Sequence, residues 1–244
     1  MPSSPSRRAE LGDLGRLPFA HRGLHGAGAV ENSLAAFEAA ISAGHGIELD
    51  VQPSLDGEAM VFHDSVLDRL TAERGAVADR TAGQLRAIRF RAGEGTIPTL
   101  RETLGFVAGR APLLIEVKAP ERRVGRLCGG VARALEGYAG PYGIMSFNPE
   151  VARWFAFHGA PAPRGLVVTE NRNSGLRGRA ERRLSLLRAR PDFVACDVRD
   201  LPSAFASAAR AAGRPVYTWT VRSAEERARA AAYADQIIYE ASGQ

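Results

Sequence analysis

Lysine is almost missing from this chain of 244 residues. Of its 32 basic residues only Lys118 is a lysine and the rest are arginine. Against 27 acidic residues this leaves a net charge of +5, yet no basic run is interleaved with aromatics, which argues against a nucleic-acid surface. Where arginine is written everywhere else, a single lysine marks a place that wants a compact ammonium. Cysteine is equally sparse: Cys128 and Cys196 are too few for a disulfide framework and form no CxxC pair. No apolar run approaches the roughly 18 residues of a membrane span, so no stable membrane insertion is expected. The polar stretch from Met1 to Arg16 precedes an apolar run, Leu17 to Ala20, too short for a secretory signal, which makes the reducing cytoplasm the expected location. Residues 1–16 read as a loose tail. Nothing in the composition bears on oligomeric state.

What is present concentrates between Phe19 and Asp64. This stretch holds His21, His63, Arg22, and two carboxylates two positions apart, Glu48 and Asp50. In a strand, residues i and i+2 share a face, so Glu48 and Asp50 point together while Leu49 points away. Two carboxylates held side by side repel unless a cation lies between them. An all-oxygen set of this kind suits a hard cation, Mg²⁺ or Ca²⁺. Asp56-Gly57 reads as a two-residue hairpin turn, pairing Leu55 with Glu58 and placing Asp50 opposite His63.

The remainder alternates. After the first strand comes a helix capped by Asn32 or Ser33 and running to about Ala43, and then the strand of Glu48 and Asp50. Residues 54–98 read as an insertion, and Thr99 caps the next helix. Strand-like runs follow at Leu113 to Val117, Tyr142 to Phe147, Gly165 to Thr169, Phe193 to Asp197, Val216 to Thr220 and Gln236 to Tyr239, separated by helical stretches. One of these stretches is a long arginine-rich helix ending near Arg190. Ala59 to Phe62 follows Val51 too closely for a parallel crossover and must return antiparallel over the rim. The other strands predict an α/β fold, a single (β/α)₈ TIM barrel over residues 1–244 with the insertion after its second strand. Such barrels work at the C-terminal ends of their strands, where His21, Asp50, Glu116, Lys118, Ser146, Asp197 and Trp219 fall.

The motifs H-R-G at His21, E-N-S at Glu31, E-L-D-V at Glu48, H-D at His63, I-E-V-K at Ile115, S-F-N-P at Ser146 and T-W-T-V at Thr218 resemble, in order and spacing, the glycerophosphodiester phosphodiesterase family. The resemblance implies a TIM barrel with His21 and His63 as the acid–base pair. It further implies Glu48, Asp50 and Glu116 as ligands of a divalent cation, Arg22 and Lys118 on the phosphate, and Trp219 beside the glycerol. In one place the chain departs: members usually end the last strand in Thr-Asp, and here stand Tyr239 and Glu240.

The implied reaction is hydrolysis of a small glycerophosphodiester to glycerol 3-phosphate and an alcohol. Histidine suits it, because an ordinary pKa of about 6.5 lets one ring be neutral and another protonated near pH 7. The expected nucleophile is the glycerol's own 2-hydroxyl, giving a cyclic phosphate, with direct attack by water as the alternative. A lysophospholipase D-like enzyme would need an apolar, membrane-facing patch, and the polar insertion offers none. A catalytically idle barrel used for binding would have lost one of the five histidines and carboxylates. Other readings stay open: Glu116 with Lys118 as a structural ion pair, Trp219 as core, Asp197 as a loop cap, and His25, His45 and His158 as structural or solvated.

Overall fold

Short apolar runs bounded by glycine and proline become strands here, and the amphipathic runs between them become helices. The computed structural model describes residues 11–26, 28–158, 162–171 and 175–241. The strands are β1 Phe19–Ala20, β2 Gly46–Pro53, β3 Ala59–Val61, β4 Leu113–Val117, β5 Tyr142–Ser146, β6 Arg164–Val168, β7 Phe193–Asp197, β8 Val216–Val221 and β9 Gln236–Tyr239. The helices are α1 Leu34–Ser42, α2 Ala82–Arg86, α3 Leu100–Val107, α4 Gly125–Leu135, α5 Pro149–His158, α6 Leu176–Ala189, α7 Ala204–Ala211 and α8 Ala224–Tyr233. Ser33, not Asn32, caps α1 by accepting from Ala36 N, and Thr99 opens α3 in a capping box with Glu102.

Neighbouring strands run β1-β9-β8-β7-β6-β5-β4-β2, and β1 pairs with β2, so eight parallel strands close a TIM barrel. Alternation along β2 and β4 sends Ile47, Leu49, Val51, Leu113, Ile115 and Val117 outward to the helices. The interior is filled lower down by Phe19, Leu114, Met145, Val167, Phe193, Tyr217 and Ile238. Above them Glu48, Asp50 and Glu116 face inward.

Two expectations need correction. The tail expected over residues 1–16 is not loose from residue 11 on: Leu11 and Leu14 are buried against the interior cluster, and Tyr217 donates its hydroxyl to Leu14 O at 2.6 Å. Two leucines in a polar stretch are enough to plug the end of the barrel opposite the site; residues 1–10 lie outside the described part. The second correction is the hairpin register. Val51 pairs with Val61, Gln52 with Met60 and Pro53 with Ala59, so Phe62 rather than His63 stands opposite Asp50. The loop is Leu55-Asp56-Gly57, closed by Ser54 N to Glu58 O at 3.0 Å, with Gly57 left-handed at φ 86°. A three-residue loop with glycine in that position shifts the pairing by one relative to a two-residue turn.

β3 occupies the upper part of the β2 edge that β1, only two residues long, leaves uncovered. The chain of the insertion then packs Leu67, Val77, Leu85, Phe90 and Ile97 around Met60 and Phe62 in a small cluster of its own. That cluster stands the loop carrying His63 and Asp64 over the mouth of the barrel.

Candidate active site

The site begins with two loops that lock together. At the end of β1, Arg22 takes a left-handed backbone (φ 58°), which turns its amide to donate to Glu48 Oε2 at 2.9 Å. Gly23 follows at φ 79°, where a Cβ would meet the Ala36 backbone at 2.9 Å, so the glycine of H-R-G is demanded by both conformation and space. Asn32, also left-handed, donates its own amide to Arg22 O at 2.8 Å. Its side chain clamps Asp50, Nδ2 donating to Oδ2 at 2.9 Å and Oδ1 accepting from Asp50 N at 3.2 Å. Non-glycine residues in this backbone region recur at functional sites.

The three expected ligands converge. Glu48, Asp50 and Glu116 are buried, each with an oxygen within 4.8 Å of the others'. Asp50 and Glu116 are register partners on β2 and β4. Lys118 reaches between them, Nζ 2.9 Å from Asp50 Oδ1 and 2.5 Å from Glu116 Oε1, and Arg22 Nε lies 3.4 Å from Asp50 Oδ2.

Charge is unevenly distributed over this trio. Burial pushes the Glu48 carboxyl well above the usual carboxylate range, and the charges on Asp50 and Glu116 add to it. Burial raises Glu116 too, despite Lys118. Asp50 goes the other way: burial opposes its ionisation, but Lys118 and Arg22 outweigh it, helped by the nearby His63 and His21. The same carboxylates outweigh burial at Lys118 and hold its ammonium charged. Glu48 Oε1 is buried with no hydrogen-bond donor facing it. An all-carboxylate donor set with an orphaned oxygen fits a hard divalent cation, which would relieve the proton-binding pressure at Glu48.

Each imidazole is backed by a carboxylate. His21 Nδ1 lies 2.7 Å from Glu240 Oε1, leaving Nε2 turned to the acidic trio, 4.0 Å from Glu48 Oε2. Burial lowers the His21 pKa and the bond to Glu240 works against this. Glu240 is held low because His21 and Arg222 outweigh its own burial. His63 Nδ1 lies 2.8 Å from Asp64 Oδ1. Arg69 from the insertion donates to Asp64 Oδ2 at 2.6 Å and to both oxygens of Glu31 at 2.7 Å, and Arg22 donates to Glu31 Oε1 at 2.7 Å. An unbroken chain of hydrogen bonds and ion pairs therefore runs from His63 to Asp50.

Trp219 sits half-buried on top of the interior cluster, its indole N–H donating to Ala195 O at 3.0 Å and its ring edge-on to Phe147 at 5.4 Å. It is both a lid on the core and a wall of the mouth. Asp197 caps its own loop, accepting from Arg199 N, and Ser146 donates to Val117 O. Sequence reasoning gave no place in the site to Asn32, read there only as a possible helix cap, nor to Glu31, Asp64, Arg69, Glu240 or Gln52. Gln52, whose Nε2 donates to Phe62 O and Asp64 O, was within reach, since it continues the i+2 series of Glu48 and Asp50.

Fold and site together define a (β/α)₈ barrel with a carboxylate and imidazole centre at the C-terminal ends of its strands. Residues 21–241 match the glycerophosphoryl diester phosphodiesterase family, and the chain belongs to that family. A glycerophosphodiester phosphodiesterase of Bacillus altitudinis is 40% identical over 107 residues, 41% of this chain and 43% of that protein. One of Caldanaerobacter subterraneus is 40% identical over 112 residues, 42% of this chain and 45% of that protein. The chain thus aligns with less than half the length of these curated relatives. Among solved structures, an Oleispira antarctica phosphodiesterase in complex with the product sn-glycerol-3-phosphate superposes with a TM-score of 0.80 at 22% identity, over 93% of this chain and 94% of that one. A Thermotoga maritima glycerophosphodiester phosphodiesterase gives a TM-score of 0.72 at 25% identity, over 92% and 94%.

Proposed function

We propose that this protein hydrolyses small glycerophosphodiesters to glycerol 3-phosphate and an alcohol. The observation that carries the reading is the convergence of Glu48, Asp50 and Glu116 in one buried cluster that both imidazoles approach, each backed by its own carboxylate. Family membership and the product bound by the Oleispira enzyme support the same substrate class.

In this reading Glu48, Asp50 and Glu116 hold a divalent cation, Mg²⁺ or Ca²⁺, which when bound draws charge from the phosphate's non-bridging oxygens. Lys118 and Arg22 lie beside the same carboxylates and meet the remaining phosphate charge. One imidazole accepts the proton of the attacking hydroxyl and the other delivers one to the departing alkoxide. Glu240 and Asp64 fix the outer nitrogens, so Nε2 of each ring is the proton-handling atom. The glycerol 2-hydroxyl is the attacking group, because it is tethered near phosphorus, and water then opens the cyclic phosphate. Trp219 and Phe147 flank the glycerol.

The test is purified protein with glycerophosphocholine, glycerophosphoethanolamine and a lysolipid, each with and without EDTA. Chelation-sensitive release of glycerol 3-phosphate is expected, and full activity in EDTA removes the cation from this account. A stalled reaction in ¹⁸O water decides the nucleophile: an unlabelled cyclic phosphate is expected, and labelled glycerol 3-phosphate with no cyclic species overturns the 2-hydroxyl. A cytoplasmic setting is consistent with this reading, since both cysteines are free, as thiols are in a reducing compartment.

A further inference from the structure

Helix α6 turns three of its leucines outward. Leu176, Ala180, Leu184 and Leu187 recur at i, i+4, i+8 and i+11, a single stripe at 3.6 residues per turn that ordinarily faces a core. Here the stripe faces solvent: Leu176, Leu184 and Leu187 are 83%, 63% and 66% exposed, while the buried positions of the helix are Gly178, Arg182 and Ala189. Phe157, at the end of α5 and 76% exposed, lines one groove together with Leu184 and Leu187. By helical position Arg179, Arg183 and Arg190 flank the stripe on one side, and Arg177 and Arg188 on the other.

The charge is as concentrated as the leucines. The chain holds 32 basic and 27 acidic residues, and residues 176–190 hold six arginines and one glutamate, leaving 26 of each sign elsewhere. The whole net charge of +5 is therefore that of one segment. Chain-wide use of arginine does not explain this, because outside the segment arginine is balanced by acid.

We propose that α6, with Phe157, is a docking face for an anionic lipid bilayer, its leucine stripe resting in the interface and its arginines on the headgroups. An anionic lipid surface matches both features, offering the exposed leucines an apolar boundary and the arginines their counter-charge. A second copy of the chain is disfavoured by charge, since twofold pairing of the stripe would set arginine rims against each other. This is peripheral contact: no helix among the described residues is long and apolar enough to cross a membrane. The helix opens just beyond β6, at the strand-end face that carries the site, so docking would hold the mouth of the barrel near a lipid surface. The patch that a lysolipid-handling enzyme requires thus lies outside the insertion, on the barrel's own helix ring. The proposal is independent of the activity proposed above.

The experiment is co-sedimentation of the full chain with phosphatidylcholine vesicles, alone and with about one third phosphatidylglycerol. Binding to the anionic vesicles only is expected, lost at about 0.5 M salt. Each arginine near such a surface is worth about fivefold, so the triple variant R179E/R183E/R190E should bind at least about a hundredfold more weakly. L184S/L187S should weaken binding while leaving the circular dichroism melt and glycerophosphodiester hydrolysis unchanged. No sedimentation with anionic vesicles at low salt overturns the proposal, as does undiminished binding by the triple variant. A dimer in sedimentation velocity that L184S/L187S dissociates also overturns it, because the face then belongs to a second copy.

Discussion

Replacing Glu240 by glutamine tests the link between the departure at the end of the last strand and the chemistry. The carboxylate lies 2.7 Å from His21 Nδ1 and fixes which ring nitrogen faces Glu48. Glutamine keeps the size but offers an amide that can also donate to Nδ1, which would place the imidazole proton on the wrong side. Loss of such an outer partner costs about 10- to 100-fold in activity, or about 1.4–2.7 kcal/mol of barrier. The loss should fall on kcat, with KM little changed, because Glu240 stands behind the imidazole rather than before the substrate. Burial already lowers the His21 pKa and the Glu240 bond is what opposes it. Without the carboxylate, the limb of the kcat–pH profile that belongs to His21 moves to lower pH. Stability should barely change: the other partner of Glu240 is the exposed Arg222, a surface pair worth about 0–1 kcal/mol. E240D, which keeps the charge on a shorter arm, should recover part of the rate. An E240Q enzyme within about twofold of wild type, with both pH limbs in place, refutes the reasoning, since the expected range starts near tenfold.

Three further outcomes follow from the same geometry. Adding Mg²⁺ or Ca²⁺ to EDTA-stripped protein should raise Tm as well as restore activity, since binding to the folded state alone stabilises it, and a metal-independent melt argues against the buried trio as ligands. In EDTA, the Tm of E48Q relative to wild type should increase as pH rises above the ordinary carboxylate range, because a carboxyl whose folded pKa is raised loses its stabilising contribution in that direction; parallel Tm–pH curves would contradict this. Leu14→Ala should cost about 2–5 kcal/mol in denaturant melts while sparing kcat, as expected for a buried leucine at the closed end of the barrel, and a loss below about 0.5 kcal/mol would mean the plug carries no weight.

The barrel was readable because its strands are short, mostly apolar runs set off by proline or a charged residue: Leu113–Val117 between Pro112 and Lys118, Phe193–Asp197 after Asp192, and Gln236–Tyr239 between Asp235 and Glu240 fall where the pattern puts them. The acidic trio was readable for the same reason, since strand alternation fixes the face of Glu48 and Asp50 without tertiary knowledge. Register was less so. Asp56-Gly57 marks a turn in both the two- and three-residue forms, and only the backbone of Gly57 distinguishes them. The Arg69–Glu31 and His21–Glu240 pairs were out of reach because their members lie 38 and 219 residues apart, and in a sequence full of arginine and acid nothing local names such a pair.

The hairpin correction also changes how His63 reaches the site. Had it been the cross-strand partner of Asp50, the sheet alone would have aimed it, and the insertion would be dispensable. With Phe62 in that place, the strand ends at Val61, and His63 is aimed by what surrounds it. Gln52 holds the carbonyls of Phe62 and Asp64, Asp64 holds the imidazole, and Arg69 of the insertion holds Asp64 and Glu31 at once. Exposed ion pairs of this kind add little to stability, so the network's weight falls on position. The cluster around Leu67, Leu85 and Ile97 then supports the segment that carries His63, which ties the insertion to the chemistry proposed above.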